Sequence, residues 1–134
     1  DCEALLSQCV HWNSRHYRGL SSCRNYLMEI LARDLLQLMK DAPQRIQLID
    51  CRETDEWELC RIEGSELIPL SQFANLTANW ELSDTRKKVI YCHHGIRSLQ
   101  ATGFLRNKGF ENTYSLQGGI DNWSIEIDPN MPRY

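Results

Sequence analysis

The chain has little of several things that would fix its class at once. No apolar run approaches the roughly 20 residues needed to cross a bilayer. No block of lysines and arginines marks a nucleic-acid footprint, and the balance of 15 basic against 18 acidic residues leaves a formal charge of −3 with both signs interspersed. The first residues, Asp1-Cys2-Glu3, do not begin a basic segment followed by an apolar one, so a secretory signal is not expected there. No internal repeat, low-complexity tract or second domain stands out. There is no Cys-x-x-Cys pair and no Cys/His arrangement of zinc-finger spacing. These absences leave a single domain with neither nucleic acid nor a membrane as its expected partner.

Six cysteines are present: Cys2, Cys9, Cys23, Cys51, Cys60 and Cys92. Their spacing is irregular, and a chain of 134 residues buries roughly two thirds of its unfolded surface without a disulfide or metal staple. Reduced thiols in the cytoplasm are therefore expected. Five of the six read as ordinary small hydrophobes.

Residues 1–27 lack the patterning of the rest and read as an N-terminal extension, a tail or a docked helix, with helical spacing over 3–12. From Met28 onward, strands alternate with helices over the domain 28–134. Tyr26–Ile30 reads as a strand, and Ala32, Leu35, Leu36 and Met39 form one helical face ended by Pro43. Ile46–Asp50 is an apolar strand, Thr54 a helix cap, and Leu67-Ile68 a short strand. Ser71 is placed to cap a helix carrying Phe73, Leu76 and Trp80. Lys88–Tyr91 is a strand, Ser98–Asn107 a helix stopped by Gly109, and Thr113–Leu116 a last strand before a helical turn with Ile120 and Trp123. Trp57, Trp80 and Trp123 are expected in the core. The alternation predicts an α/β fold, a parallel sheet of about five strands with helices on both faces.

Cys92 differs from the other cysteines in its setting. It ends the apolar run Val89-Ile90-Tyr91 and precedes a short loop, His93-His94-Gly95-Ile96-Arg97, and a helix start at Ser98. In open parallel sheets, ligands bind beyond the carboxyl ends of strands. Loop N–H groups turned inward form an anion-binding nest, Gly95 permits a backbone that a Cβ resists, and Arg97 adds a fixed positive charge. Such surroundings lower a thiol pKa and make the sulfur a nucleophile.

The loop Cys92-His93-His94-Gly95-Ile96-Arg97-Ser98 resembles the C-x-x-G-x-R-S active-site loop of the rhodanese (sulfurtransferase) family. Three further segments match in order. They are Leu48-Ile49-Asp50-Cys51-Arg52-Glu53 with Glu56-Trp57-Glu58, Ile62-Glu63-Gly64-Ser65 with Leu67-Ile68-Pro69-Leu70, and Gly109-Phe110-Glu111-Asn112-Thr113-Tyr114 with Leu116-Gln117-Gly118-Gly119-Ile120 and Trp123. Single-domain bacterial members and the rhodanese domains of adenylating sulfur-transfer enzymes look most similar. Departures are Cys51 for the usual Val, Cys60-Arg61 for Gly-His, Glu63 for Pro and Ser65 for Ala.

The resemblance implies a rhodanese-like fold and no cofactor or metal. It implies that Cys92 takes a sulfane sulfur from a small donor such as thiosulfate. The resulting persulfide then passes its sulfur to cyanide, a thiol or a protein acceptor. His93, His94, Gly95, Ile96, Arg97 and Ser98 would line the substrate site, with the histidines serving through their backbone N–H groups. Asp50 would brace Arg97 or the loop, and Arg52 would support the site; a plain surface ion pair is the competing reading. Gly118-Gly119 would let the chain pass close to the loop. Related cysteine phosphatases place their arginine one residue further on, in a wider loop, so the spacing favours sulfur over phosphate. A phosphatase or arsenate reductase remains an alternative. So does a non-catalytic or redox-sensing module, with Cys51 or Cys60 resolving an oxidised Cys92.

Overall fold

The structure, a computed structural model, describes residues 28–134. The N-terminal extension 1–27, with its expected helix, lies outside the described residues. Five strands run β1 (Glu29–Ile30), β2 (Ile46–Asp50), β3 (Glu66–Leu67), β4 (Lys87–Tyr91) and β5 (Thr113–Leu116). They form one parallel sheet in the order β1-β5-β4-β2-β3. The helices are α1 (Ala32–Asp41), α2 (Thr54–Leu59), α3 (Phe73–Leu76), α4 (Ile96–Asn107) and α5 (Gly119–Glu126).

Side chains alternate across a strand, so each central strand feeds two cores. Leu48, Val89, Tyr91 and Leu116 point to one face and pack with Ala32 and Leu35 of α1 and Ile120 and Trp123 of α5. Ile49, Cys51, Ile90 and Cys92 point to the other and pack with Phe73 of α3 and Ala101 and Leu105 of α4. Each fully buried Leu, Ile or Val contributes about 1.5–3 kcal/mol. The near-continuous burial of β2 and β4 is the mark of a parallel sheet covered on both sides.

Three local expectations shift. Helix α2 is capped by Glu53, one residue before Thr54, because Glu53 and Glu56 form a reciprocal capping box with each other's backbone N–H. Ser71 caps no helix: its hydroxyl donates to the Glu53 carboxylate at 3.1 Å, and it sits in a 3₁₀ turn over Leu70–Gln72. Helix α3 is consequently a single turn, with Leu76 largely exposed and Trp80 beyond it, edge-on to Phe110 at 6.3 Å. Of the three tryptophans expected in the core, Trp123 is buried, whereas Trp57 and Trp80 are half-buried, Trp57 with the Arg61 guanidinium 4.8 Å above its ring.

Candidate active site

Strand β4 ends at Tyr91, and the next residues turn sharply into α4. Gly95, with φ 108°, is the N-cap of that helix. The helix therefore begins at Ile96 and not at Ser98, because the left-handed glycine, not the serine, ends the loop. The first N–H groups of a helix have no intrahelical acceptor. Here a sulfur supplies one. The N–H of Gly95 donates to Cys92 Sγ at 3.0 Å, and the N–H of Ser98 is directed at it as well. Ser98 Oγ lies 3.4 Å from the sulfur and 2.7 Å from Ser115 Oγ on β5. Ser98 Oγ also lies 3.2 Å from the Gly95 carbonyl oxygen, so its one proton is shared between that oxygen and an ionised sulfur, and Ser115 donates to Ser98.

A further influence comes from the neighbouring strand. The Cys51 thiol faces Cys92 across the β2–β4 register, within the same buried cluster. Its contribution is the largest of those that bring the Cys92 thiol down to about 5, ahead of Ser98 and Gly95 and against the opposing effect of burial. Cys51 moves the other way, pushed far up by holding its proton toward the Cys92 sulfur and by its own burial. Cys92 is 1 % exposed, so the thiolate lies at the bottom of the loop among donors, with little room for bulk water.

The loop is held from the far side by α5. The N–H groups of Ile120 and Asp121 donate to the carbonyls of Cys92 at 2.8 Å and His93 at 3.1 Å. Gly119 makes this approach possible: with φ 63°, a Cβ there would lie 2.4 Å from the His93 carbonyl oxygen.

The remaining expected site residues spread around this centre. The His93 ring stacks between His94, at 3.8 Å, and Tyr134, at 3.9 Å, and its buried Nε2 has no hydrogen-bond partner among the described residues. His94 is exposed, 3.9 Å from Asp121. Ile96 turns outward and is 72 % exposed, so only its backbone borders the loop.

Arg97 is not braced by Asp50. Its guanidinium forms a two-pronged pair with Glu56 of α2 at 2.7 and 2.9 Å, which pulls Glu56 down to about 2. Asp50 is taken instead by Arg52, two residues on, whose Nε reaches both carboxylate oxygens at 2.9 and 3.0 Å. Neither side chain of that pair is exposed, so it is a buried ion pair rather than a surface one. Arg52 also donates to the Cys60 carbonyl at 2.6 Å and to Tyr134 Oη at 2.9 Å, and Tyr134 in turn donates to Glu56 at 2.6 Å.

Glu56, Ser115 and Tyr134 are the contributors that sequence reasoning missed, although Glu56 carries a signal within its acidic-aromatic motif; Cys51 stands out in the sequence both as a departure from Val and as a candidate to resolve an oxidised Cys92. Among the described residues, no three His, Cys, Asp or Glu side chains are grouped to hold a metal ion, and no helix is long and apolar enough to cross a membrane.

Residues 31–126 match the family model of the rhodanese-like domain. The chain is 35% identical over 94 residues to a probable adenylyltransferase/sulfurtransferase, MoeZ, of Mycobacterium tuberculosis, covering 70% of this chain and 24% of that protein. It is 30% identical over 139 residues to the chloroplastic rhodanese-like/PpiC domain-containing protein 12 of Arabidopsis thaliana, covering 98% of this chain and 46% of that protein. The chain thus spans less than half the length of these two relatives. Its fold is similar to the crystal structure of a rhodanese-related protein from Thermoplasma volcanium, with a TM-score of 0.63, 31% identity, and coverage of 78% of this chain and 94% of that one.

Proposed function

The chain belongs to the rhodanese-like domain family, and on that premise we propose that it is a sulfurtransferase working through a persulfide on Cys92. The observation that carries the reading is the sulfur itself, a buried thiol brought down to about 5, with donors from Gly95 and Ser98 and the Cys51 thiol beside it. At neutral pH such a thiol is almost wholly thiolate.

In the first step the Cys92 thiolate attacks the outer sulfur of a small donor such as thiosulfate. A bond forms between the two sulfurs, the donor's S–S bond breaks, and sulfite leaves with the bonding pair. In the second step a thiophilic acceptor, such as cyanide, a thiol or a protein thiol, attacks the outer sulfur of the persulfide and regenerates the thiolate. The N–H groups at the start of α4 suit an anion held just above Cys92. His93, His94, Gly95 and Ile96 border that space through the backbone, and Ser98 through its hydroxyl. Arg97 acts at a distance: its charge favours an anion in the loop while its guanidinium is engaged by Glu56. Asp50 and Arg52 support the neighbouring strand end from within the core. The free, unpaired Cys51, Cys60 and Cys92 suit a reducing compartment such as the cytoplasm.

The same arrangement argues against phosphoryl chemistry. A phosphate loop needs an arginine aimed inward to clamp equatorial oxygens. Here the Arg97 fork is already satisfied by a carboxylate.

Incubation with thiosulfate followed by intact-mass measurement tests the reading. One added sulfur, removed by cyanide and absent in Cys92→Ser, is the expected result. No adduct on the native protein, or one that persists in Cys92→Ser, overturns it.

A further inference from the structure

A second thiol shares the site, and the sheet puts it there. The register pairing Asp50 with Tyr91 continues one residue past the strands, where the Cys51 N–H donates to the Tyr91 carbonyl at 3.0 Å. Cys51 and Cys92 therefore leave neighbouring parallel strands at the same height. Adjacent strands lie about 4.8 Å apart, inside the Cα range of about 4.4–6.8 Å that a disulfide accepts. Both side chains point to the same face and pack in the same buried cluster, and both are free thiols. Cys60 is placed differently, beside Arg52 and against the core on the opposite face of the sheet.

We propose that Cys51 is a second nucleophile of this site, which discharges the Cys92 persulfide as inorganic sulfide by closing a Cys51–Cys92 disulfide. The proposal rests on the persulfide reading above. The Cys51 sulfur attacks the inner sulfur of the persulfide, Sγ of Cys92. A bond forms between Cys51 and Cys92, and the bond between Cys92 and the outer sulfur breaks. The outer sulfur leaves with the bonding pair and the Cys51 proton as hydrosulfide, so Cys51 is oxidised as the outer sulfur is reduced. An external dithiol then reopens the disulfide and is itself oxidised.

The geometry suits displacement. Cys51 approaches Cys92 from the β2 side of β4, whereas Gly95, Ser98 and Ser115 lie on the loop and β5 side. An outer sulfur held by the loop donors thus departs away from the incoming thiol. The geometry also explains why the bare enzyme keeps both thiols. While Cys92 is a thiolate, its charge holds the proton on Cys51. Loading moves that charge to the outer sulfur, among the N–H groups, and releases the restraint.

The test loads the full chain with thiosulfate, removes the excess, and omits any acceptor. Three quantities are followed with time: the sulfur on Cys92 by intact mass, sulfide by zinc trapping, and the Cys51–Cys92 peptide in a non-reducing digest. The native protein is expected to lose its added sulfur while sulfide and linked peptide rise together. Cys51→Ser keeps a hydrogen-bond donor but no sulfur, and is expected to hold the persulfide and release sulfide at least about tenfold more slowly. Cys60→Ser is expected to match the native protein. Equal sulfide release from Cys51→Ser, or a native persulfide that persists with no linked peptide, overturns the proposal alone. Failure of both the native protein and Cys51→Ser to take up sulfur overturns the persulfide reading and this proposal with it.

Discussion

Strands β2 and β4 are neighbours, and each runs out into a cysteine followed by an arginine that meets a carboxylate. After β2 come Cys51 and Arg52, with Asp50 as partner; after β4 come Cys92 and Arg97, with Glu56 as partner. The two sulfurs are equally buried, yet Cys92 is brought down to about 5 while Cys51 is pushed far up. Burial raises both thiols, so burial does not decide. The difference is supply of donors. The turn into α4 offers its unpaired N–H groups to Cys92, whereas Cys51 has no such turn and lies beside the Cys92 charge, which keeps its proton on. The arginines differ in the same sense. Arg52 is sealed in the core and Arg97 is about one third exposed, so the first holds structure and the second sits at the rim of the site.

The sharpest way to break this contrast is to remove a carboxylate from the buried pair. Asp50→Ala strands the Arg52 guanidinium without a counter-charge in a place with no exposure, and a loss of about 3–5 kcal/mol in denaturant unfolding is expected. Next in size is Gly119→Ala, which attacks the anchoring of the β4 loop alone. Its Cβ would meet the carbonyl oxygens of Cys92 and His93 at a left-handed φ, so a loss of about 2 kcal/mol or more is expected. Sulfur loading of Cys92 should fall with it, because the clash is with the loop itself. An Asp50→Ala variant no less stable than the native protein would mean that the β2 loop is not held by its ion pair.

The sequence signals that proved legible were those set by period and by motif. Apolar runs marked β2 and β4, and the spacing from Cys92 through Gly95 to Arg97 marked the loop, because both depend on residues close in the chain. Helices α2 and α4 start one or two residues before their sequence signals, and α3 starts one residue after its own. Thr54 and Ser71 are good capping types, but Glu53 formed a capping box with Glu56 and drew the Ser71 hydroxyl to itself. The partner of Arg97 was not legible at all. Asp50 and Glu56 are both acidic and both within motifs; the choice between them depends on how α2 packs beside the start of α4. Cys51 is legible, with Cys60, as a candidate to resolve an oxidised Cys92, but the choice between the two requires the β2–β4 register.

Cys51→Val tests the contrast at the sulfurs directly. Removing the thiol takes away the largest contribution holding Cys92 low, while the donors at Gly95 and Ser98 stay. The midpoint for alkylation by iodoacetamide, read as rate against pH, is expected to move up from about 5 toward the ordinary thiol range. Stability changes little, since Val fills a similar apolar volume. An unmoved midpoint would assign the low value to the start of α4 alone and would leave Cys51 without influence on the thiolate.

The smallest effect is expected at the rim. Glu56→Gln removes the charge that pairs with Arg97 and one of the two accepting oxygens, and keeps one carbonyl oxygen able to accept from Tyr134 and from one prong of Arg97. Partly exposed pairs are screened by solvent, so about 1 kcal/mol or less is expected. The pH dependence separates this term from general damage. The native carboxyl titrates at about 2, below its ordinary 4.5, chiefly because Arg97 donates to it. A depressed acid stabilises the fold at pH above 4.5, where both folded and unfolded carboxyls are ionised, and the gain fades as pH falls toward 2. The stability difference between native protein and Glu56→Gln is therefore expected to be flat above about pH 5 and to shrink below it. A gap that persists undiminished at pH 2 would show that Glu56 works through packing, and that the rim arginine is held as the buried one is, by its surroundings more than by charge.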